Sequence, residues 1–97
     1  MSVSTPGIAV IVATIEPWPT IRPCLDRLLP QIARAAGELI VADGTPDGSG
    51  LPPSETGAYR PVTTIAQPGA SVMALRARGA EAASAPFVAF TEDHCVV

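Results

Sequence analysis

Four short segments with the character of β-strands constrain the fold of this chain more than any other feature of its sequence. They are IAVIVA at 8–13, ELIVAD at 38–43, VTTIA at 62–66 and PFVAF at 86–90. The first two are apolar runs without polar–apolar alternation, which is typical of strands in a parallel sheet covered on both faces. Helical patterns separate the first strand from the second and the third from the fourth. This order predicts an open α/β sheet of about four mostly parallel strands with flanking helices, a Rossmann-like architecture.

The first predicted helix spans residues 20–36. Its apolar residues recur at helical spacing: Ile21, Leu25, Leu28, Leu29 and Ile32. Thr20 is a candidate N-cap, Pro30 predicts a kink or a second short segment, and Gly37 predicts the C-terminal stop.

The second predicted helix covers about residues 70–83. The residues predicted to share its buried face are Val72, Leu75, Gly79 and Ala82. Between the second and third strands, residues 44–57 are rich in Gly, Pro and Ser and predict a surface loop. No linker divides the chain, so residues 1–97 are expected to form one domain.

The composition excludes several classes of function. A net charge of −3 without a basic stripe argues against a nucleic-acid partner. The longest apolar run, at 8–13, is far shorter than the roughly 20 residues that span a bilayer, so no membrane span is expected. The chain has no lysine, which excludes Schiff-base and P-loop mechanisms. Two distant cysteines without CxxC spacing indicate reduced thiols in a cytoplasmic protein.

Polar residues gather where the predicted strands end. Ligands of open parallel sheets bind beyond the carboxyl ends of the strands. The polar and glycine residues expected there are Thr14, Glu16, Asp43, Gly69, Ser71 and Thr91 to His94. Any one of them could simply begin a loop, so the convergence is the informative observation. The turn after the first strand, TIEPWP, lacks the glycines of a dinucleotide-binding site, which excludes that class.

The last polar group contains Glu92, Asp93 and His94, the only histidine. Glu92 and His94 are two residues apart and can point the same way from an extended chain. A carboxylate with an imidazole suits Mn²⁺, and carboxylates alone suit Mg²⁺. A solvated loop with a hydrogen-bonded histidine is the alternative, and a zinc site with Cys24 and Cys95 is a weaker one because no zinc-type spacing supports it.

Five segments in order resemble the N-terminal half of family 2 glycosyltransferases, enzymes of the GT-A fold. They read IAVIVATIE, CLDRLLPQ, ELIVADGTPDG, AQPGASVMALRARGAEAA and PFVAFTEDH. The family patterns that they resemble are an opening strand ending in T-x-N, then C-L-D-S-L-L, I-I-V-V-D-D-G-S-T-D-G, Q-x-N-G-G-x-x-x-A-R-N-x-G and Y-V-A-F-L-D-x-D. The resemblance covers about residues 8 to 95 of the chain.

The resemblance implies a nucleotide site. Thr14 and Glu16 match the corner that flanks the nucleoside, Asp43 matches an aspartate that contacts the base or ribose, and Arg76 matches an arginine near the uridine and phosphates. This chain departs from the family pattern with Glu16 in place of Asn, Ala42 in place of Asp and Ala77 in place of Asn.

The segment E-D-H at 92–94 matches the D-x-D signature, which holds a divalent metal and the diphosphate of the donor. The resemblance therefore implies Glu92 and His94 as metal ligands and Asp93 as a nucleotide-binding residue. The histidine and the longer glutamate shift the expected preference from Mg²⁺ toward Mn²⁺.

The resemblance ends before the part of the family that carries the acceptor site and the catalytic base, so no catalytic residue is assigned. The expected function is the sugar-nucleotide-binding portion of an inverting, metal-dependent glycosyltransferase that uses a UDP- or GDP-type donor and a glycan or lipid acceptor. The chain is expected to be a truncated GT-A domain, incomplete for catalysis by itself. The alternative is a non-catalytic nucleotide-binding or assembly module. A sheet that ends at the fourth strand leaves apolar surface uncovered, which predicts a homo-oligomer.

Overall fold

A computed structural model describes residues 7–52, 59 and 62–92 of the chain. Its elements follow in the order β1 (Ile8–Thr14), α1 (Trp18–Arg34), β2 (Glu38–Asp43), β3 (Val62–Ala66), α2 (Val72–Ala82) and β4 (Phe87–Glu92). The four strands form one sheet in the order β3-β2-β1-β4, and every pair is parallel. The predicted α/β class with an open parallel sheet and flanking helices is confirmed.

The two helices cover opposite faces of the sheet, because successive side chains of a strand point to opposite sides. The cluster beneath α1 comprises Val12, Ile21, Cys24, Leu25, Leu28, Leu39, Val41, Tyr59 and Val62. Two smaller clusters lie beneath α2, one built on Ala9, Ile11 and Ile40 and the other on Ala13, Ala42 and Leu75. Burial on both faces explains why β1 and β2 are continuous apolar runs.

Helix α1 begins two residues earlier than predicted. Pro17, not Thr20, is the N-cap, and it makes no side-chain capping bond. Prolines fit the first helical turn because the amide hydrogens lost there have no partner within the helix. The helix also continues through Pro23 and Pro30 to Arg34, although each proline removes one backbone hydrogen bond.

The end of α1 also differs from the prediction. Ala36 adopts the left-handed conformation with φ of 52°. The Ala36 amide donates to the Ala33 carbonyl at 3.2 Å and the Gly37 amide to the Ile32 carbonyl at 3.0 Å, the pattern of a Schellman motif. Gly37 serves a different purpose, because a Cβ there would lie 3.0 Å from the carbonyl oxygen of Ile8.

Helix α2 begins with a side-chain cap and packs closely on the sheet. The Ser71 hydroxyl accepts a hydrogen bond from the Ala74 amide at 3.2 Å. Leu75 and Gly79 are its buried residues, as predicted, whereas Ala82 is exposed and Ala80 packs against the core instead. In the part of the chain that the structure describes, no helix is long and apolar enough to cross a membrane.

Candidate functional site

The carboxyl ends of the strands meet at one edge of the sheet. Thr14 of β1 pairs with Asp43 of β2, and Ala13 pairs with Glu92 of β4. From β1 the chain proceeds outward through β2 to β3, and it then crosses back to place β4 on the other side of β1. The boundary between β1 and β4 is therefore a topological switch point, where open α/β sheets bind ligands.

Asp43 is the most unusual residue at this edge. Its side chain is 0% exposed and points to the same face as Leu39 and Val41. One carboxylate oxygen, Oδ1, accepts hydrogen bonds from the Thr45 amide at 2.8 Å and the Thr45 hydroxyl at 2.7 Å. The other oxygen, Oδ2, is buried and has no hydrogen-bond partner among the described residues. A buried acceptor without a donor is costly, so Oδ2 is an atom to which a ligand can donate.

The loop after β2 covers this carboxylate. A Cβ at position 50 would lie 2.5 Å from Asp43 Oδ1, so the loop backbone at Gly50 packs directly against the carboxylate. Gly48 has φ of 74°, and a Cβ there would lie 4.0 Å from Oδ2. Oδ2 is thus enclosed where Gly48 and Gly50 pass close to the carboxylate.

Hydrogen bonds from the side chain and backbone of Ser49 hold the pKa of Asp47 below its usual value. The Ser49 amide donates to Asp47 Oδ1 at 3.0 Å in the tight turn of the loop. Asp47 is exposed, and its carboxylate accepts a hydrogen bond within the turn.

Thr14 and Glu16 form the corner between β1 and α1. Thr14 is buried, and its hydroxyl accepts a hydrogen bond from the Glu16 amide at 3.0 Å. The Glu16 side chain is exposed, and its carbonyl oxygen would lie 2.8 Å from a Cβ at position 50. The Trp18 amide donates to the Ser49 carbonyl, which joins the start of α1 to the loop after β2. Thr14, Asp43 and the backbone of Glu16 thus lie close together at this edge.

Tyr59 packs against the start of α1. Its ring packs edge-on against Trp18 with centroids 4.8 Å apart, and its hydroxyl donates to Asp26. Burial, with the adjacent Asp26 carboxylate, raises the pKa of Tyr59 above its usual value. Trp18 therefore belongs to the packing around α1.

Arg76 approaches from the opposite face of the sheet. It lies on α2, and its guanidinium carbon is 5.9 Å from the centroid of the Phe90 ring in β4. Its Nε is buried and has no hydrogen-bond partner among the described residues. The structure therefore places Arg76 beside β4, while Asp43 lies on the α1 side.

The predicted metal ligands cannot be placed in full. The backbone of Glu92 ends β4 at the same edge as Thr14, but its side chain and all of Asp93 and His94 lie outside the described residues. Within the described ranges, no group of three His, Cys, Asp or Glu side chains is arranged to hold a metal ion. Cys24, a partner in the zinc alternative, is buried in the core beneath α1. Metal binding by Glu92 and His94 stays a prediction.

Thr45 and Gly50 were not among the residues predicted for the site. The sequence signal was present, because GTPDGSG follows the β2 aspartate at once and places a hydroxyl two residues after it. A side chain or amide two residues after an aspartate often bonds its carboxylate in a turn. The Gly-, Pro- and Ser-rich composition of residues 44–57 indicates a loop but does not indicate which of its residues contact Asp43.

Comparisons of the chain with protein-family models, with curated proteins and with solved structures gave no match.

Proposed function

We propose that the chain is the sugar-nucleotide-binding portion of an inverting, metal-dependent family 2 glycosyltransferase. The observation that carries the proposal is the buried Oδ2 of Asp43 at the carboxyl edge of the sheet, which has no partner among the described residues. That oxygen can accept from an N–H group of a base or an O–H group of a ribose. Thr14 and Glu16 border the same position at the end of β1.

A divalent ion would complete the site at the diphosphate. Glu92 and His94 would hold it, since a carboxylate and an imidazole suit Mn²⁺, with Mg²⁺ the alternative, and Asp93 would bind the nucleotide. When bound, the ion neutralises the diphosphate and makes it a better leaving group. The proposed donor is a UDP- or GDP-sugar, the acceptor a glycan or lipid, and the location the cytoplasm.

Calorimetric titration with UDP and Mn²⁺ tests the nucleotide site. The wild-type protein should bind UDP or GDP, and Asp43→Ala should weaken that binding at least tenfold because the ligand loses a charged acceptor, for which roughly 1.5–3 kcal/mol is typical. Asp47→Ala is the matched control, because Asp47 is a carboxylate of the same loop that is exposed. It should bind as the wild type does. If neither nucleotide gives a saturable heat with folded wild-type protein, the proposal is wrong.

The surface of β4 favours a second candidate function, a module that assembles with further copies of itself. Phe87 is 71% exposed and Phe90 is 49% exposed. In the described sheet, β4 pairs only with β1, so its other edge presents unpaired backbone groups. The β3 edge is more polar, with Thr63 and Thr64 exposed.

We propose a second copy as the occupant of this edge. Two β4 strands can pair antiparallel about a two-fold axis at Ala89, an isologous contact. Val88 then lies opposite Phe90 of the second copy, and Phe87 lies opposite Thr91 of that copy. This register places two symmetry-related Val88–Phe90 pairs side by side and spans residues 87–91 of the strand. Because the aromatic area is modest, the dimer is expected in the weak class that buries less than about 1,200 Å².

Analytical ultracentrifugation tests this pairing. The sedimentation coefficient of the wild type should rise with concentration across the micromolar range and above. Val88→Lys should remain monomeric, because a charged residue on an edge strand opposes pairing. Thr64→Lys, the matched change on the β3 edge, should dimerise as the wild type does. A wild-type protein that stays monomeric at every concentration would contradict the proposal.

A further inference from the structure

We infer that Thr45 is a positioning residue that assigns the two oxygens of Asp43, Oδ1 to the protein and Oδ2 to the ligand. The inference rests on the proposed nucleotide site and adds a residue to it. Its basis is the set of hydrogen bonds that converge on the Thr45 hydroxyl.

That hydroxyl both donates and accepts a hydrogen bond within the protein. It donates to Asp43 Oδ1 at 2.7 Å and accepts from the Gly50 amide at 3.3 Å. The Thr45 amide gives Oδ1 a second donor at 2.8 Å. Thr45 is itself 3% exposed, so water does not compete for these bonds. The carboxylate is thereby held in one orientation by a single residue.

The arrangement limits what Asp43 can recognise. Because Oδ1 already accepts two hydrogen bonds from Thr45, the carboxylate cannot offer both oxygens to a metal ion or to the fork of a guanidinium. Only Oδ2 remains, and a single acceptor atom reads a single N–H or O–H group. Asp43 therefore offers one acceptor atom to the ligand and is matched to a single hydrogen-bond donor.

The Gly50 amide allows the contacts between Thr45, Asp43 and the loop to be measured in the absence of a ligand. Its bond to the Thr45 hydroxyl links the loop after β2 to the carboxylate of Asp43. When the loop leaves Asp43, that amide becomes open to solvent. Hydrogen exchange at Gly50 therefore measures how firmly Thr45 holds the loop and the carboxylate together.

Thr45→Val, which keeps the shape and removes the hydroxyl, is the test variant, and Thr45→Ser, which restores the hydroxyl, is its control. With UDP and Mn²⁺ as the probe, Thr45→Val should bind about tenfold more weakly than wild type, whereas Thr45→Ser should stay within about threefold. In an Asp43→Ala background, Thr45→Val should have little further effect on UDP binding, because a positioning residue acts only through the group that it positions.

Exchange of the Gly50 amide, read by NMR in the free protein, should be at least tenfold faster in Thr45→Val and unchanged in Thr45→Ser. If Thr45→Val binds UDP as the wild type does while Asp43→Ala does not, the inference is overturned and the proposed function stands. If the wild type binds no nucleotide, the proposed function fails and with it the ligand role of Thr45. The exchange result then still decides whether Thr45 holds the loop to Asp43. Unchanged Gly50 exchange in Thr45→Val overturns that contact.

Discussion

Replacing Gly79 with alanine is expected to lower the free energy of unfolding by about 2 kcal/mol. A Cβ at this position of α2 would lie 2.6 Å from Cγ2 of Ile11, with two further Ile11 carbons at 3.4 Å. Ile11 is fully buried in the central strand β1, and its Cγ2 is attached to the branched Cβ, so it cannot turn aside freely. The absence of a side chain at residue 79 is what lets the helix approach the sheet this closely.

The expected loss of stability in Gly79→Ala is opposite in sign to the effect of helix propensity. By helix propensity alone, alanine in place of glycine should stabilise α2 by about 1 kcal/mol. Ala77→Gly, at an exposed position of the same helix, measures that propensity contribution directly. Denaturant unfolding followed by circular dichroism gives both values. Ile11→Ala in the Gly79→Ala background should cost less than the sum of the single changes, because it removes the overlapping methyl group. A Gly79→Ala protein more stable than wild type would contradict the packing.

Strands β1 and β2 were predictable from the sequence because both of their faces are buried and their residues are therefore almost all apolar. The predicted segments at 38–43 and 62–66 match β2 and β3, and β1 and β4 differ from prediction by no more than two residues at any end. A parallel strand covered on both faces cannot tolerate an alternating polar pattern, so an apolar run between helical segments leaves few alternatives.

The ends of α1 were less predictable, since packing decides them. Thr20 was the predicted N-cap, yet the helix begins at Trp18 and accommodates Pro19 and Pro23. At the other end, the left-handed position belongs to Ala36, where an L-residue costs roughly 1–2 kcal/mol. Glycine is placed instead at residue 37, where the carbonyl of Ile8 approaches. A close contact from a distant strand cannot be read from local sequence.

The candidate site was also predictable from the sequence only in part. Topology alone brings Thr14 and Asp43 to one edge, and the sequence order was sufficient to predict that. Which carboxylate oxygen stays unpaired depends on the path of the loop over β2, which no periodicity describes. The place of Arg76 depends likewise on how α2 crosses the sheet, and the structure sets it against Phe90.

Replacing Gly50 with alanine is expected to lower the free energy of unfolding by about 2–3 kcal/mol and to displace the loop from Asp43. A Cβ there would lie 2.5 Å from Asp43 Oδ1, 2.8 Å from the Glu16 carbonyl oxygen and 3.0 Å from Asp43 Cγ. One of these groups is backbone and the other is a buried carboxylate held by Thr45, so neither can yield cheaply. Thermal and denaturant unfolding measure the loss of stability, and amide exchange at residue 50 measures the displacement.

Gly7→Ala is the control for the Gly50 change, because a Cβ at residue 7 meets nothing within 4 Å. It should alter stability by no more than about 0.5 kcal/mol. If Gly50→Ala unfolds as Gly7→Ala does, the loop does not lie on Asp43.

A double variant separates the two sources of the Gly50→Ala overlap. Asp43→Ala removes both carboxylate contacts and leaves the Glu16 carbonyl, so Asp43→Ala with Gly50→Ala should cost less than the sum of the single changes by about 1 kcal/mol or more. Additive costs would assign the overlap to the Glu16 backbone alone. A favourable coupling would show that the absence of a side chain at residue 50 lets the loop pack against Oδ1 of Asp43, the oxygen that Thr45 also holds.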